Sequence, residues 1–203
     1  MGKKIDSINE MYNLGLPAPG CVFVMAEDNI DLKINEYFSR YSNPDQLYTV
    51  RTDTIISSMS CKRILSANPN QTIECAKQWQ KEGLQIILQE FIDERKEIKS
   101  GNIWLQKDRI IIEGALDKHI HFANGISLNG KGRSIDVNVT APRFDNYILT
   151  FHKFFVKQEC FSYSEILRLI RLARKVPYTN AIIEFSFFNN GNLYFWEIKK
   201  EKT

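Results

Sequence analysis

The last stretch of the chain, IIEFSFFNNGNLYFWEIKK over residues 182–200, most constrains the fold because it predicts a β-hairpin. Asn190-Gly191 lies between two apolar runs, and this dipeptide between such runs is the strongest short hairpin signal. A turn centred there puts Glu184 opposite Glu197, with β-carbons about 5 Å apart. The same register pairs Phe188 with Leu193 and Ser186 with Phe195. Alternation predicts a core face made of Ile183, Phe185, Phe187, Tyr194, Trp196 and Ile198.

Two like charges directly opposite each other destabilise a sheet, so a positive group is expected between these carboxylates. One interpretation is an exposed face on which Lys199 and Lys200 soften the repulsion. The other is a divalent metal held by both glutamates. Mg²⁺ takes one or two protein carboxylates and fills its other positions with water and phosphate oxygens. Paired acids on adjacent strands therefore indicate a site for a nucleoside triphosphate.

The length of 203 residues predicts one domain or two small lobes that share a site. A net charge of +3 does not indicate nucleic acid, although it does not exclude it. No apolar run approaches the roughly 20 residues of a membrane span, and the first residues lack the pattern of a signal peptide. The four scattered cysteines favour reduced thiols and a cytoplasmic protein without a zinc site.

Apolar periodicity and turn residues give a coarse map of the chain. Helices are predicted over residues 4–14, 30–41, 72–82 and 162–177, with Ser164 as the N-cap of the last. Strands are predicted over 21–25, 46–53, 84–92 and 134–140, with two more within 100–116 around Lys107-Asp108. Residues 66–71 and part of 119–134 are predicted as loops, and 146–158 fit helix or strand equally.

Two further segments carry candidate chemistry. Arg51, in VRTD at a strand end, is either a solvated surface charge or a guanidinium that grips phosphate. In LQEFIDERKE, an apolar strand ends at Gln89 and Glu90, and Glu97 follows. That segment is either a strand with a charged turn or a backbone that reads adenine beside an acid that binds ribose. The sequence contains no P-loop motif.

Several segments together resemble one family. KIDSINEMYNLGLPAPGCVFV resembles the opening of the nucleotide-binding domain of phosphoenolpyruvate synthase and pyruvate phosphate dikinase. YTVRTD is similar to its V-R-S-S segment, IILQEFID to its V-V-Q-x-M-V strand and to the ATP-grasp hinge, and the last helix and hairpin to its closing elements. The matching residues of the opening are Lys4, Ile8, Glu10, Met11, Gly15, Pro17, Pro19 and Val22.

The resemblance implies a compact α+β ATP-grasp fold with antiparallel sheets. Its two lobes, 1–86 and 87–203, would have a nucleotide cleft between them. It implies ATP and Mg²⁺ as cofactors and an acceptor that is a small molecule or a protein. The implied activity is that of an ATP-dependent ligase or phosphotransferase, and the alternative is a non-catalytic module that senses nucleotide or binds a partner. The departures from the family pattern include Lys199, where the dikinase branch has arginine.

The resemblance also implies a role for each candidate residue. Glu184 and Glu197 would hold the metal. The backbone of Glu90, Phe91 and Ile92 would meet adenine beside Gln89, and Glu97 would bind ribose. Phosphates would be contacted by Lys4 and Arg51, with Arg143 as a second catalytic candidate that neutralises charge on the γ-phosphate or the acceptor.

Overall fold

Two antiparallel sheets organise the protein in the computed structural model, which describes residues 3–40, 45–54, 60–115, 139–142 and 161–200. The chain forms two compact units. The first contains residues up to Asn9 and Pro19–Asp93, and the second contains Glu10–Ala18 and the residues from Glu94 onward. The sequence-based boundary at residue 86 falls inside a strand that is paired on both sides in the first unit. The predicted α+β class with antiparallel sheets is confirmed.

The first unit is built on a four-stranded sheet in the order β1-β4-β2-β3. Its strands are β1 (Cys21–Val24), β2 (Tyr48–Asp53), β3 (Arg63–Ala67) and β4 (Gln85–Glu90). Its helices are α2 (Ile30–Ser39) and α3 (Pro69–Lys81), and helix α1 (Lys3–Asn13) begins in this unit.

One face of this sheet forms the core of the unit together with α2 and α3. Val50 and Leu88 are opposite each other and fully buried there, and they pack with Ile34 and Trp79 from the two helices. Arg51 follows Val50 on β2 and Gln89 follows Leu88 on β4. Because successive side chains of a strand alternate, Arg51 and Gln89 point to the opposite face of the sheet. Strand β3 was not predicted, because most of its residues are exposed and no alternation marks it.

Helix α3 begins earlier than predicted. Asn68 caps it, and a reciprocal capping box joins the Asn68 side chain to the Gln71 backbone and the Gln71 side chain to the Asn68 backbone. Pro69 follows as the first helical residue, a position that does not need its missing N–H. The prediction of a loop over 66–71 is therefore wrong from residue 69 onward.

The second unit contains a five-stranded sheet in the order β7-β6-β5-β8-β9. The strands are β5 (Glu97–Leu105), β6 (Arg109–Ala115), β7 (Val139–Pro142), β8 (Ala181–Phe188) and β9 (Leu193–Lys200). A short 3₁₀ helix (Glu94–Lys96) precedes β5, and helix α4 (Tyr163–Ala173) precedes β8. The predicted segments 119–134 and 146–158, and most of 134–140, lie outside the described residues.

The closing hairpin forms over the predicted residues and pairs its glutamates as predicted, but its register nearer the turn differs by one residue and it contains a β-bulge. Glu184 pairs with Glu197 as the sequence predicts, whereas Phe185 pairs with Phe195, so Trp196 is the extra residue. Nearer the turn, Ser186 pairs with Tyr194 and not with Phe195, and Leu193 pairs with Phe187 and not with Phe188.

The bulge changes the core face. Leu193 and Phe195 are buried at 2% and 0% exposure, whereas Tyr194 and Trp196 are half-buried on the opposite face. The prediction that Tyr194 and Trp196 belong to the core face is therefore wrong. Ile183, Phe185, Phe187 and Ile198 are buried as predicted.

Helix α4 has Ser162 as its N-cap, so the prediction of Ser164 is wrong by two residues. Ser162 and Glu165 form a capping box, which satisfies two backbone donors at the start of the helix. Glu165 also binds the ammonium of Lys99, a β5 residue opposite Phe187 on the core face of the sheet. No helix in the described ranges is long and apolar enough to cross a membrane.

Candidate functional site

A row of polar side chains crosses four strands of the second sheet. Glu113 on β6 pairs with Asn102 on β5, Asn102 pairs with Glu184 on β8, and Glu184 pairs with Glu197 on β9. Directly opposed residues in antiparallel strands point to the same face, so these four side chains lie on one side of the sheet. We call this side the carboxylate face; it is opposite the face that buries Ile183 and Phe185.

Lys199 supplies the positive charge that the opposed glutamates require. Its Nζ atom forms an ion pair with Glu184 and lies 3.7 Å from Glu197 Oε2. The Glu184 side chain is 11% exposed and that of Glu197 is 30% exposed, so Lys199 compensates two carboxylates that are largely withdrawn from water. Burial acts to lower the pKa of the Lys199 ammonium, but its hydrogen bonds to both carboxylates and their negative charges outweigh burial and raise that pKa.

Lys200 has a different partner. Its Nζ atom lies 2.9 Å from Glu10 Oε1 and 3.8 Å from the centre of the Tyr178 ring. The hydrogen bond to Glu10 raises the pKa of the Lys200 ammonium. Of the two lysines expected to soften the repulsion, the structure therefore shows Lys199 in that position and Lys200 on Glu10.

The donor set suits a divalent cation of the Mg²⁺ class, which prefers carboxylate and other oxygen ligands. Glu184 and Glu197 offer two carboxylates, and the Asn102 amide lies next to them in the row. Within the described parts of the chain, no group of three or more His, Cys, Asp or Glu is placed to hold a metal. An ion at the pair would meet the ammonium of Lys199, which contacts both carboxylates.

Glu97, the residue expected to bind ribose, lies buried at the start of β5. Its Oε1 atom accepts a hydrogen bond from the Ser186 hydroxyl, and that hydroxyl accepts one from Trp196 Nε1 at 2.7 Å. Ser186 follows Glu184 by two residues on β8, so this chain of bonds is on the carboxylate face. Trp196 and Tyr194 also contact Phe188 there, with ring centroids 5.6–6.4 Å apart.

Arg51 and Gln89, both predicted to contact the nucleotide, lie together in the first unit. The Arg51 guanidinium donates from Nη2 to Gln89 Oε1 at 2.5 Å, and the two residues are on the sheet face opposite α2 and α3. Gln89 is 4% exposed, so this bond orients the guanidinium from a buried partner. The Lys4 side chain is half-buried on the first turn of α1.

Asp53, at the end of β2, occupies the N-terminal donors of α1. Its Oδ2 atom accepts from the backbone N–H groups of Lys4 and Ile5 at 2.8 and 2.9 Å. A carboxylate at a helix N-terminus satisfies free donors and complements the helix dipole. In the VRTD segment, Asp53 therefore anchors the helix that carries Lys4.

The predicted adenine segment follows β4 in the first unit. The Glu90 N–H donates to the Tyr37 hydroxyl at 3.0 Å, and the Phe91 N–H donates to the Leu47 carbonyl at 2.9 Å. These two backbone donors are therefore used within the protein. Arg143 lies outside the described residues.

Asn102 and Glu113 were missed by the sequence reasoning, although a signal for them was present. The turn predicted at Lys107-Asp108 puts residues 102 and 113 opposite each other, as they are in the structure. Their alignment with Glu184 depends on the pairing of β5 with β8, which only the structure shows.

Comparison with known proteins gives matches at the level of structure. No protein-family model and no curated protein sequence matches the chain. The structure of D-alanine–D-alanine ligase from Coxiella burnetii matches with a TM-score of 0.56 and 11% identity, covering 98% of this chain and 47% of that one. The ADP complex of an N5-carboxyaminoimidazole ribonucleotide synthetase matches with a TM-score of 0.54 and 11% identity, covering 100% of this chain and 45% of that one.

A third match is the ATP-grasp ligase PsnB in complex with a minimal precursor. Its TM-score is 0.50 at 10% identity, and it covers 99% of this chain and 52% of that one. The chain thus spans about half the length of these three ligases and synthetases. At such low identities the likeness concerns the fold alone, and that fold is the ATP-grasp fold.

Proposed function

We propose that this chain binds ATP with Mg²⁺ and uses it to activate an acceptor, as an ATP-dependent ligase or phosphotransferase. The observation that carries this proposal is the pair of glutamates, directly opposed on β8 and β9 of an ATP-grasp fold. Opposed acids withdrawn from water destabilise a sheet unless they bind a cation, which makes the pair suited to a metal and its phosphates.

In this proposal Glu184 and Glu197 would hold the metal, which would supply positive charge opposite the phosphate oxygens. Arg51 orients a phosphate oxygen through its fork of donors, steadied by the bond to Gln89. Lys4 adds a second positive charge for phosphate, and Arg143 is proposed to act on the γ-phosphate or the acceptor.

The remaining nucleotide contacts are proposed from the hinge-like segment. The Ile92 N–H and the carbonyls of Glu90 and Phe91 read adenine, and Glu97 binds the ribose hydroxyls. Glu97 is held by Ser186, whose own hydroxyl is fixed by Trp196, so this carboxylate is oriented before any ligand arrives.

The structure matches to two ligases and a synthetase support ligation. In that reaction a carboxylate of the acceptor takes the γ-phosphoryl group of ATP and ADP leaves, and a nucleophile then displaces phosphate from the acyl phosphate. The resemblance to the dikinase branch supports phosphoryl transfer and stays a prediction. The acceptor is proposed as a small molecule or a protein segment.

A non-catalytic nucleotide-sensing or partner-binding module is the second candidate. The observation that favours it is Lys199, whose ammonium already compensates the acids. The module would bind nucleotide without transferring a phosphoryl group.

Thermal unfolding with and without Mg-ATP tests the nucleotide site. At a ligand concentration of about 100 times Kd, binding adds about 2.7 kcal/mol to the free energy of unfolding. That corresponds to a rise in Tm of about 5–10 °C for a chain of this size. Glu197→Ala should remove most of the rise. Asp108→Ala, which deletes an 81% exposed carboxylate in the same unit, should retain it. Absence of a shift in the unaltered protein would refute the proposal.

Product analysis separates the enzyme from the module. The protein is incubated with Mg-ATP and pools of candidate amino acids, amines and peptides, and the nucleotide products are resolved by chromatography. Acceptor-dependent ADP and phosphate indicate ligation, whereas a phosphorylated acceptor without free phosphate indicates transfer. A protein that binds ATP and consumes none with any acceptor pool is the module.

A further inference from the structure

Lys199 lies where a cation between the two glutamates would have to be. It is two residues beyond Glu197 on β9, and therefore on the carboxylate face. Its ammonium contacts both Glu184 and Glu197. A divalent ion bound by these two carboxylates would compete with the ammonium for their oxygen atoms and for their negative charge.

We propose that Lys199 is an internal competitor for the divalent cation, so that Glu184 and Glu197 take up a metal only when the ammonium leaves them. The two carboxylates and the ammonium together carry a charge of −1. Without the ammonium the pair carries −2 and attracts a divalent ion more strongly at short range. Lys199 therefore weakens metal binding by its charge and by its contacts with one oxygen atom of each carboxylate.

The Lys199 side chain can make this exchange. It is 49% exposed, and its ammonium is a point charge on a flexible four-carbon stem. Glu184 is only 11% exposed and has little water to replace a lost cation. The carboxylates are thus expected to keep one cation at all times, either the tethered ammonium or a metal.

An ammonium that leaves the two carboxylates needs other acceptor atoms. If ATP binds here, its phosphate oxygens are acceptors for the Lys199 ammonium, so the metal would enter together with the nucleotide and not before it. This second step rests on the proposed function, whereas competition at the carboxylates does not. The metal-only experiment below therefore remains informative even if ATP does not bind.

Mn²⁺ binding without nucleotide, followed by electron paramagnetic resonance and calorimetry, tests the competition. Lys199→Met and Lys199→Gln should each bind Mn²⁺ at least tenfold more tightly than the unaltered protein, a change of about 1.4 kcal/mol. Lys199→Arg keeps the charge and should bind as the unaltered protein does. Lys200→Met is the matched control, because it removes the neighbouring charge that pairs with Glu10.

A double variant that combines Lys199→Met with Glu197→Gln tests whether the additional Mn²⁺ affinity arises at the glutamate pair. Loss of the tenfold gain in the double variant supports binding at the glutamate pair, whereas a gain that persists overturns the proposal. Equal Mn²⁺ affinity in the unaltered protein and in both uncharged variants overturns it as well.

A stability measurement distinguishes competition from a merely structural ion pair. Lys199→Met leaves two opposed carboxylates without a cation, so its Tm should fall in the presence of a chelator. Mn²⁺ should restore that Tm and leave the Tm of Lys200→Met unchanged. A loss of Tm that Mn²⁺ does not restore would mean that the ammonium only holds the strands together. Circular dichroism of each variant establishes that it is folded.

Discussion

Replacing Asp53 by alanine should destabilise the first unit by about 3 kcal/mol. The carboxylate is 4% exposed and accepts the N–H groups of Lys4 and Ile5, which are 49 and 48 residues away in sequence. Each hydrogen bond to a charged acceptor contributes about 1.5 kcal/mol, so the loss of both costs about 3 kcal/mol. Asp53→Asn keeps an acceptor oxygen and loses the charge at the helix terminus, so we expect a loss of about 1 kcal/mol.

Urea unfolding followed by fluorescence measures this effect. With a slope of about 2–3 kcal/mol per molar, Asp53→Ala should lower the midpoint by about 1–1.5 M. Amide hydrogen exchange at Ile5 should accelerate in parallel, because its donor then has no acceptor. Asp108→Ala removes an exposed carboxylate and should leave the midpoint in place. An Asp53→Ala midpoint equal to that of Asp108→Ala, with slow exchange at Ile5, would refute the capping role.

Two further changes test the second unit. Gly101→Ala would place a Cβ atom 2.0 Å from the Glu113 carbonyl oxygen and 2.7 Å from Phe185 Cζ. We therefore expect the free energy of unfolding, measured in urea, to fall by about 3 kcal/mol. A fall below about 1 kcal/mol would contradict this packing. Burial acts to raise the pKa of the Glu165 carboxyl, but hydrogen bonds, the strongest of them from Lys99, hold that pKa below its ordinary value of 4.5. The ionised form stabilises the fold, so the stability difference between the unaltered protein and Lys99→Met should be full at pH 7 and shrink as pH falls below 4.5. Unfolding midpoints between pH 7 and pH 3 measure this difference, and one that does not change with pH would contradict the assignment.

The opposed glutamates were predicted from a two-residue turn, which fixes the register of a hairpin. In the structure the residues nearer the turn pair one position away from that register, and the bulge at Trp196 shifts the strands back so that Glu184 meets Glu197. The prediction of the pair was therefore right although neither the shift nor the bulge was predicted. Residues 193–196 are all apolar, so alternation cannot tell which of them face the core. The choice is made by packing, since Phe195 enters the core at an edge-to-face contact with Phe185. A tertiary contact of this kind leaves no trace in the local pattern.

Helix starts show the opposite case, in which the information was present in the sequence. Ser162 with Glu165, and Asn68 with Gln71, both match the spacing of a capping box. The contacts of Lys199 with the two glutamates differ from both the bulge and the helix starts. The sequence puts a lysine near two acids, but only the side-chain conformation shows that its ammonium contacts both of them.

The bulge also places a fluorescent side chain, that of Trp196, on the face that carries the glutamate pair. By adding a residue to β9, it turns Trp196 to the same face as Glu197, and Trp104 binds Glu113 farther along that face. Trp79, the third indole of the chain, lies in the core of the other unit. Emission from an indole depends on nearby charge and water. Replacement of the Lys199 ammonium by a metal at the glutamates should therefore change the emission of Trp196 and Trp104. The emission of Trp79 should stay constant.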